Sequence, residues 1–299
     1  MEVQWYPGHM NKARKQMQAD LRNVELVIEL LDARCPLSSR NPDIDKMAAG
    51  KFRLILLNKA DLADNNINKA WKTYFEDRGI KVLLINSKQK EGIKAILPAV
   101  KEVCTERIQR NLNKGIKNQS IRAMVAGIPN VGKSTFINAF VGRNIVRAAD
   151  KPGVTRTNQW IKINSDLELL DTPGILWPKF EDKNVGLRLA MIGSINDEIL
   201  VTEELCGELL MYLKDNYPNT LLKYGIDEEL LERDISDIQF ATRQSLMIDR
   251  AAETLKCLKK GGVPDEQRAS VRILDDFRAG KIGHISLERP HQSEHPHKM

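Results

Sequence analysis

The sequence predicts an α/β fold, a doubly wound and mostly parallel sheet, followed by an all-helical domain. Three observations carry that prediction. Short apolar runs alternate with longer mixed segments, a glycine-rich loop joins one such run to a helical stretch, and beyond about Lys183 the strand-like runs give way to apolar residues at helical spacing. With 299 residues, 42% apolar and 29% charged, the chain is long enough for one sizeable core and a smaller second one.

Residues 24–31, 53–57, 82–85, 121–126 and 167–170 are each short, apolar and bounded by polar or Gly/Pro-containing loops, as strands buried on both faces should be. The intervening stretches 66–78, 93–109 and 133–140 suit helices that cover the sheet. The sheet domain is expected to span 1–182 and the helical domain 183–287. In the latter, Val201, Leu205, Leu209 and Tyr212 recur at helical spacing. So do Ile248, Ala251, Ala252, Leu255 and Leu258, ending at Gly261 and Gly262, while Ala269, Ile273 and Phe277 form a third stripe that ends near Gly280. Residues 288–299, with His291, His295 and His297, read as a flexible polar tail and not as a metal site.

The strongest local signal is Gly127-Ile-Pro-Asn-Val-Gly-Lys-Ser134, which matches the phosphate-binding loop and directly follows the run 121–126. Its glycines let the backbone curl so that the N–H groups of Asn130, Val131, Gly132, Lys133, Ser134 and Thr135 point at a phosphate, beside the positive end of a helix. Lys133 is placed to neutralise β/γ oxygens, and Ser134 to give a hydroxyl to Mg²⁺.

The base must be read elsewhere. Asn58-Lys59-Ala60-Asp61 follows the run 53–57, at the carboxyl end of a strand where ligands of such sheets bind. Asp61 would accept from N1–H and the exocyclic amine of guanine, whereas adenine offers no matching donors. Asn58 would hold the loop and the base edge, and the Lys59 stem would lie over the ring. Asn86 and Ser87, after the run 82–85, stand where a short loop closes over the guanine O6. Asp171-Thr-Pro-Gly174 follows the run 167–170, with Asp171 as a Walker-B type acid holding Mg²⁺ through water and Gly174 at the γ-phosphate. Between the two phosphate motifs, Pro152-Gly-Val-Thr155 offers Thr155 as the switch-one hydroxyl for Mg²⁺.

Together these motifs resemble the TRAFAC class of GTPases, in an unusual order. The guanine-reading motifs at Asn58 and Ser87 precede the phosphate loop, so the chain looks like a circularly permuted P-loop GTPase. The opening Trp5-Tyr6-Pro7-Gly8-His9-Met10 with Lys12 and Ala13, the Asp32-Ala33-Arg34 with Pro36, and the helical tail are similar to the YlqF/RbgA family of circularly permuted ribosome-assembly GTPases, over nearly the whole chain. The resemblance implies GTP and GDP as ligands with Mg²⁺, binding to the large ribosomal subunit and its rRNA late in maturation, and hydrolysis stimulated by that particle.

Phosphoryl transfer to water needs a group that orients the water, often a Gln just after the Asp-x-x-Gly motif. Here that position is Ile175, followed by Leu176, so hydrolysis is expected to be slow until a group arrives from elsewhere. The resemblance implicates His9, whose near-neutral pKa suits the role. Lys133 and Thr155 complete the catalytic set. Aliphatic-substituted GTPases with an Asn at position 130 are often stimulated by K⁺, so the resemblance also makes Asn130 a K⁺ ligand, with a loop-stabilising role as the rival.

A net charge of +6 and a pI near 9.0 favour polyanionic partners. Arg107, Arg110, Lys114 and Lys117 form a basic, loop-like segment, and Arg243, Arg250, Arg268 and Arg272 decorate the helical part, as an RNA-facing patch or a solvated face. Trp5 and Tyr6 stack on bases or pin the terminus. The four cysteines form no CxxC pair, and no apolar run is long enough to span a bilayer, so a reduced, cytoplasmic protein with no membrane partner, monomeric when free, is expected. Two alternatives remain. One is a GTPase of another RNA process such as tRNA modification, disfavoured by the permuted order; the other is a non-hydrolysing, GTP-stabilised RNA-binding factor, disfavoured by the complete magnesium and switch set. Because the sheet domain ends just beyond Asp171, the helical domain is tethered to the segment that senses the γ-phosphate, and GTP is expected to fix its orientation until hydrolysis releases it.

Overall fold

The computed structural model describes residues 9–116, 120–143, 145, 159–172, 174, 176–177, 180, 182–197, 200–232 and 242–290, with backbone alone for 9–14 and 159. Among them are six strands: β1 (Leu26–Asp32), β2 (Phe52–Asn58), β3 (Lys81–Leu84), β4 (Ile121–Ala126), β5 (Gln159–Lys162) and β6 (Leu167–Asp171). They form one sheet in the order β3-β2-β1-β4-β6-β5, every pair parallel except β5 with β6. The five expected strands are present, in a doubly wound, mostly parallel sheet. The sixth, β5, was not foreseen: Gln-Trp-Ile-Lys is a short edge strand, half polar, with too few apolar positions to stand out.

β1 is buried at all seven positions, which explains its unbroken apolar run. Its odd-numbered side faces α1 (His9–Asp20), α2 (Ile44–Met47) and α3 (Asn65–Glu76). Met17, Leu21 and Ile44 pack with Val27, Met124 and Leu170, while Ile67, Trp71 and Phe75 pack with Leu31, Ile55, Leu57 and Val82. Leu26, Ile28, Leu30, Leu54 and Leu56, of opposite parity, are equally buried. The helix expected over 93–109 is broken. A 3₁₀ turn leads into α4 (Ile96–Val103), and Cys104 separates that from α5 (Thr105–Asn113). The segment read as loop-like from Arg107 is therefore mostly helical.

Residues 180–285 cluster as a unit separate from the sheet. In it α7 (Lys183–Met191), α8 (Thr202–Asn216), α9 (Glu228–Glu232), α10 (Arg243–Thr254) and α11 (Glu266–Arg278) surround a core of Leu205, Leu209 and Leu213 from α8, Ile248 and Ala252 from α10, and Ile273 and Phe277 from α11. A Thr242/Ser245 capping box starts α10. That helix ends at Thr254, short of the expected Gly261. Lys256 adopts a left-handed φ of 56°, and Leu258 bridges to Pro264, so the two glycines serve the hairpin beyond.

The chain then rejoins the sheet unit at Ser286. Residues 288–290, expected to open a flexible tail, instead lie within a strap held by hydrogen bonds. Asp64 N donates to Ser286 Oγ (3.1 Å), Leu287 N to Arg34 O (2.7 Å) and Trp71 Nε1 to Glu288 O (3.2 Å), while Leu37 N and Ser38 N donate to the Glu288 carboxylate. His291, His295 and His297 lie outside the described residues. So do Lys117, Trp5 and Tyr6.

Candidate functional site

Parallel register sets the carboxyl ends of β1, β2, β4 and β6 along one edge of the sheet, pairing Asp32 with Asn58 and Val125 with Asp171. The phosphate loop leaves β4 there, and α6 (Lys133–Val141) begins at its end. Gly132, at a left-handed φ of 99°, caps that helix. An added Cβ would stand 2.5 Å from the Asn58 side-chain amide, so only glycine fits. Val131 is buried, and Ser134 and Thr135 are half-buried in the first turn, where backbone N–H groups lack intrahelical partners. Lys133 is buried and folds back, its ammonium donating to Gly127 O (3.0 Å) and Ile128 O (2.8 Å). Burial pulls its pKa down to about 8, an effect that nearby Asp171 only partly opposes.

Asn58 knits three loops together. Its Nδ2 donates to Val131 O in the phosphate loop (2.8 Å), and its Oδ1 accepts from Ser87 N (3.1 Å). It therefore ties the end of β2 to the phosphate loop and to the loop after β3. Lys59 sits at a left-handed φ of 57°, its ammonium 2.9 Å from Asn130 O and 3.1 Å from Asp32 Oδ2. Asp61 occupies the following 3₁₀ turn, half-buried, and its carboxylate receives no hydrogen bond among the described residues. Asn86 Oδ1 accepts from Lys88 N and Gln89 N, which tightens the next loop, while the buried Asn86 Nδ2 and Ser87 Oγ have no partner. Two donors and one carboxylate acceptor are the complement of a guanine edge, with its O6 acceptor and its N1–H and amine donors.

Asp171 ends β6, 2% exposed, and its Oδ1 is without a partner. Burial pushes its carboxyl up to about 6, against the opposing pull of Lys133 and of the Thr172 backbone. A buried carboxylate oxygen beside the Ser134 turn fits a hard divalent cation such as Mg²⁺, which takes oxygen ligands and water. Thr172 Oγ1 donates to Val125 O (2.7 Å) and fixes the strand end. Gly174 lies against the phosphate loop, where a Cβ would meet Pro129 N at 2.7 Å. Thr155 and Ile175 lie outside the described residues. His9 begins α1, but its side chain also falls outside them.

Arg34 and Asp32 enter the site unforeseen as a structural pair. Arg34 Nε and Nη2 grip the Asp32 carboxylate at 2.9 and 2.8 Å, both residues fully buried. Burial alone would raise the Asp32 pKa, but Arg34 and Lys59 hold it well below the usual carboxylate range. Asp32 thereby becomes a fixed anion that steers the Lys59 ammonium. The Asp-Ala-Arg triplet was visible in sequence, yet nothing local linked it to Lys59.

The basic residues fare differently from one another. Arg107 is buried, bound to Glu25 (2.7 Å) and Ser120 O (3.0 Å), while Arg110 and Lys114 are exposed on and just after α5. Arg243, Arg250 and Arg272 donate to the carbonyls of Leu230, Gly225 and Leu255, while Arg250, Arg268 and Arg272 are exposed. All four cysteines are buried thiols. No helix among the described residues is long and apolar enough to cross a membrane.

Comparison with known proteins matches residues 122–248 to a family described as 50S ribosome-binding GTPase. Ribosome biogenesis GTPase A of Bacillus licheniformis is 45% identical over 290 residues, covering 97% of this chain and 99% of that protein. Among solved structures, GDP-bound YlqF superposes with a TM-score of 0.65 at 27% identity, covering 93% of this chain and 100% of that one. GNP-bound YlqF from T. maritima gives 0.62 at the same identity, covering 94% and 99%.

Proposed function

The chain belongs to the ribosome biogenesis GTPase A family, and on that premise we propose that this GTPase binds the precursor of the large ribosomal subunit and hydrolyses GTP to license a late step of its assembly. The observation that carries the reading is the convergence of the Lys133 loop, the Asn58–Asp61 reader and Asp171 on one edge of the sheet. In it Asn58, Lys59, Asp61, Asn86 and Ser87 take the guanine, and the phosphate-loop backbone from Asn130 to Thr135, with Lys133 and Gly174, takes the phosphates. Ser134, Thr155 and Asp171 would hold Mg²⁺, which would supply charge neutralisation at the transferring phosphoryl group. Asn130 takes K⁺. The Lys133 ammonium exchanges its loop carbonyls for phosphate oxygens when nucleotide binds, trading neutral acceptors for charged ones.

With aliphatic residues after Gly174, the water-orienting group is His9, delivered when the ribosomal particle engages, so the free enzyme is slow. We place the protein in the cytoplasm, monomeric when free, with rRNA as its contact and the helical unit 180–285 answering to the nucleotide state. The test is GTP turnover with and without purified large subunits, in K⁺ and in Na⁺, for the native chain and for His9→Ala. Strong stimulation by subunits, lost in the variant while GDP binding persists, is the expected result. Turnover indifferent to subunits would remove the ribosome as the activating partner, and a fully active variant would remove His9 from the hydrolytic step.

A further inference from the structure

The strap that begins at Ser286 ends beside the base-reading loop, and its bonds touch both flanks of that loop. On one flank Leu287 N donates to Arg34 O, and the Arg34 guanidinium grips Asp32, the anion that steers Lys59. On the other flank Ser286 Oγ accepts from Asp64 N, three residues past Asp61, and Glu288 O accepts from Trp71 Nε1 on the helix that follows the reader. Between them the Glu288 carboxylate takes Leu37 N (2.9 Å), Ser38 N (3.0 Å) and the Ser38 hydroxyl. Glu288 is only 8% exposed, so burying its carboxylate is sustained by those three donors, and the donors by it.

We infer that this strap, anchored by Glu288, is a positioning element for guanine recognition. By clamping the Arg34 segment and the Asp64–Trp71 segment at once, it fixes Lys59 and Asp61 relative to the phosphate loop. Glu288 touches no nucleotide; it acts through the backbone it caps. The inference rests on the reading of Asn58–Asp61 as the base reader.

Base discrimination separates such a role from general support of the fold. Loss of overall stability weakens every nucleotide alike, whereas a loosened reader weakens guanine most. The full chain, with Glu288→Ala and Glu288→Gln, is titrated with GDP and with inosine diphosphate, which lacks the exocyclic amine that Asp61 would accept from; circular dichroism checks folding. The native chain should prefer GDP by roughly tenfold or more, the worth of one well-placed hydrogen bond to a charged group. Glu288→Ala should erase most of that preference, and Glu288→Gln, which keeps one carbonyl acceptor, should fall between. If Glu288→Ala does not fold, the Gln variant decides. A native chain that binds both nucleotides equally would remove the base-reading premise, and the strap inference with it. A native chain that distinguishes them, with folded variants that do so equally well, would remove the strap inference alone.

Discussion

Lys133 and Asp171 carry opposite burdens in the same small volume. Burial lowers the lysine from its ordinary 10.5 to about 8 and raises the aspartate from 3.8 to about 6. The sign follows for each. The contribution of Asp171 to the stability of the free protein is full below about 4 and is lost as pH rises through 6. That of Lys133 is full above about 10.5 and is lost as pH falls through 8. Between 6 and 8, therefore, both groups are charged where burial disfavours charge, and a phosphate and a cation relieve both. GDP affinity should fall as pH rises above about 8, by up to roughly tenfold per unit, because the neutral amine must take up a proton to pair with phosphate. Calorimetry across pH 7 to 9.5 checks this; an affinity flat over that range would mean that the Lys133 amine stays protonated throughout.

At the scale of elements, what was legible in sequence was whatever a short stretch encodes by itself. The phosphate loop carries its own glycines and lysine, and β1, β2, β4 and β6 are apolar runs, so their positions could be read directly. The Asp32–Lys59 ion pair, the strap and the bridge from Asn58 to Val131 depend on residues far apart in the chain, brought together by the fold. No local pattern announces them. β5 escaped for want of apolar length, and the end of α10 was misplaced because two glycines nearby looked like a cap. Three arginines of the helical unit, read as an RNA-facing patch or a solvated face, each also donate to a carbonyl of a distant turn, a role that no local pattern shows. Gly174 shows how the contact of two loops becomes a functional demand. The Cβ of Gly174→Ala would collide with backbone atoms of Pro129, which cannot rotate aside, so the segment must retreat by up to about 1 Å. Such a shift at a reacting centre costs on the order of a hundredfold in turnover, while GDP, bound mainly through the loop and the reader, should bind nearly as before. Single-turnover hydrolysis beside equilibrium GDP binding measures the split; equal losses in both would show that the loop itself had been disrupted.

For the whole molecule, nucleotide should act as a stabiliser of the sheet unit. At one hundred times its dissociation constant, GDP is expected to add about 2.7 kcal/mol to the unfolding free energy of that unit. Differential scanning calorimetry, with GDP varied, should show the transition of the sheet unit moving upward while that of the helical unit stays in place. A helical transition that moved in step would mean that the two melt as one.

Since the chain returns to the sheet at Ser286, the helical unit is an insertion and not an appendage. The sheet unit therefore keeps both ends of that insertion, and a melted helical unit would be a closed loop rather than a trailing coil. The entropic cost of closing such a loop grows only with the logarithm of its length, by about 0.6 kcal/mol for each doubling. The nucleotide-binding unit is thus insured against the collapse of its neighbour, and the length of the inserted segment can drift at little thermodynamic cost.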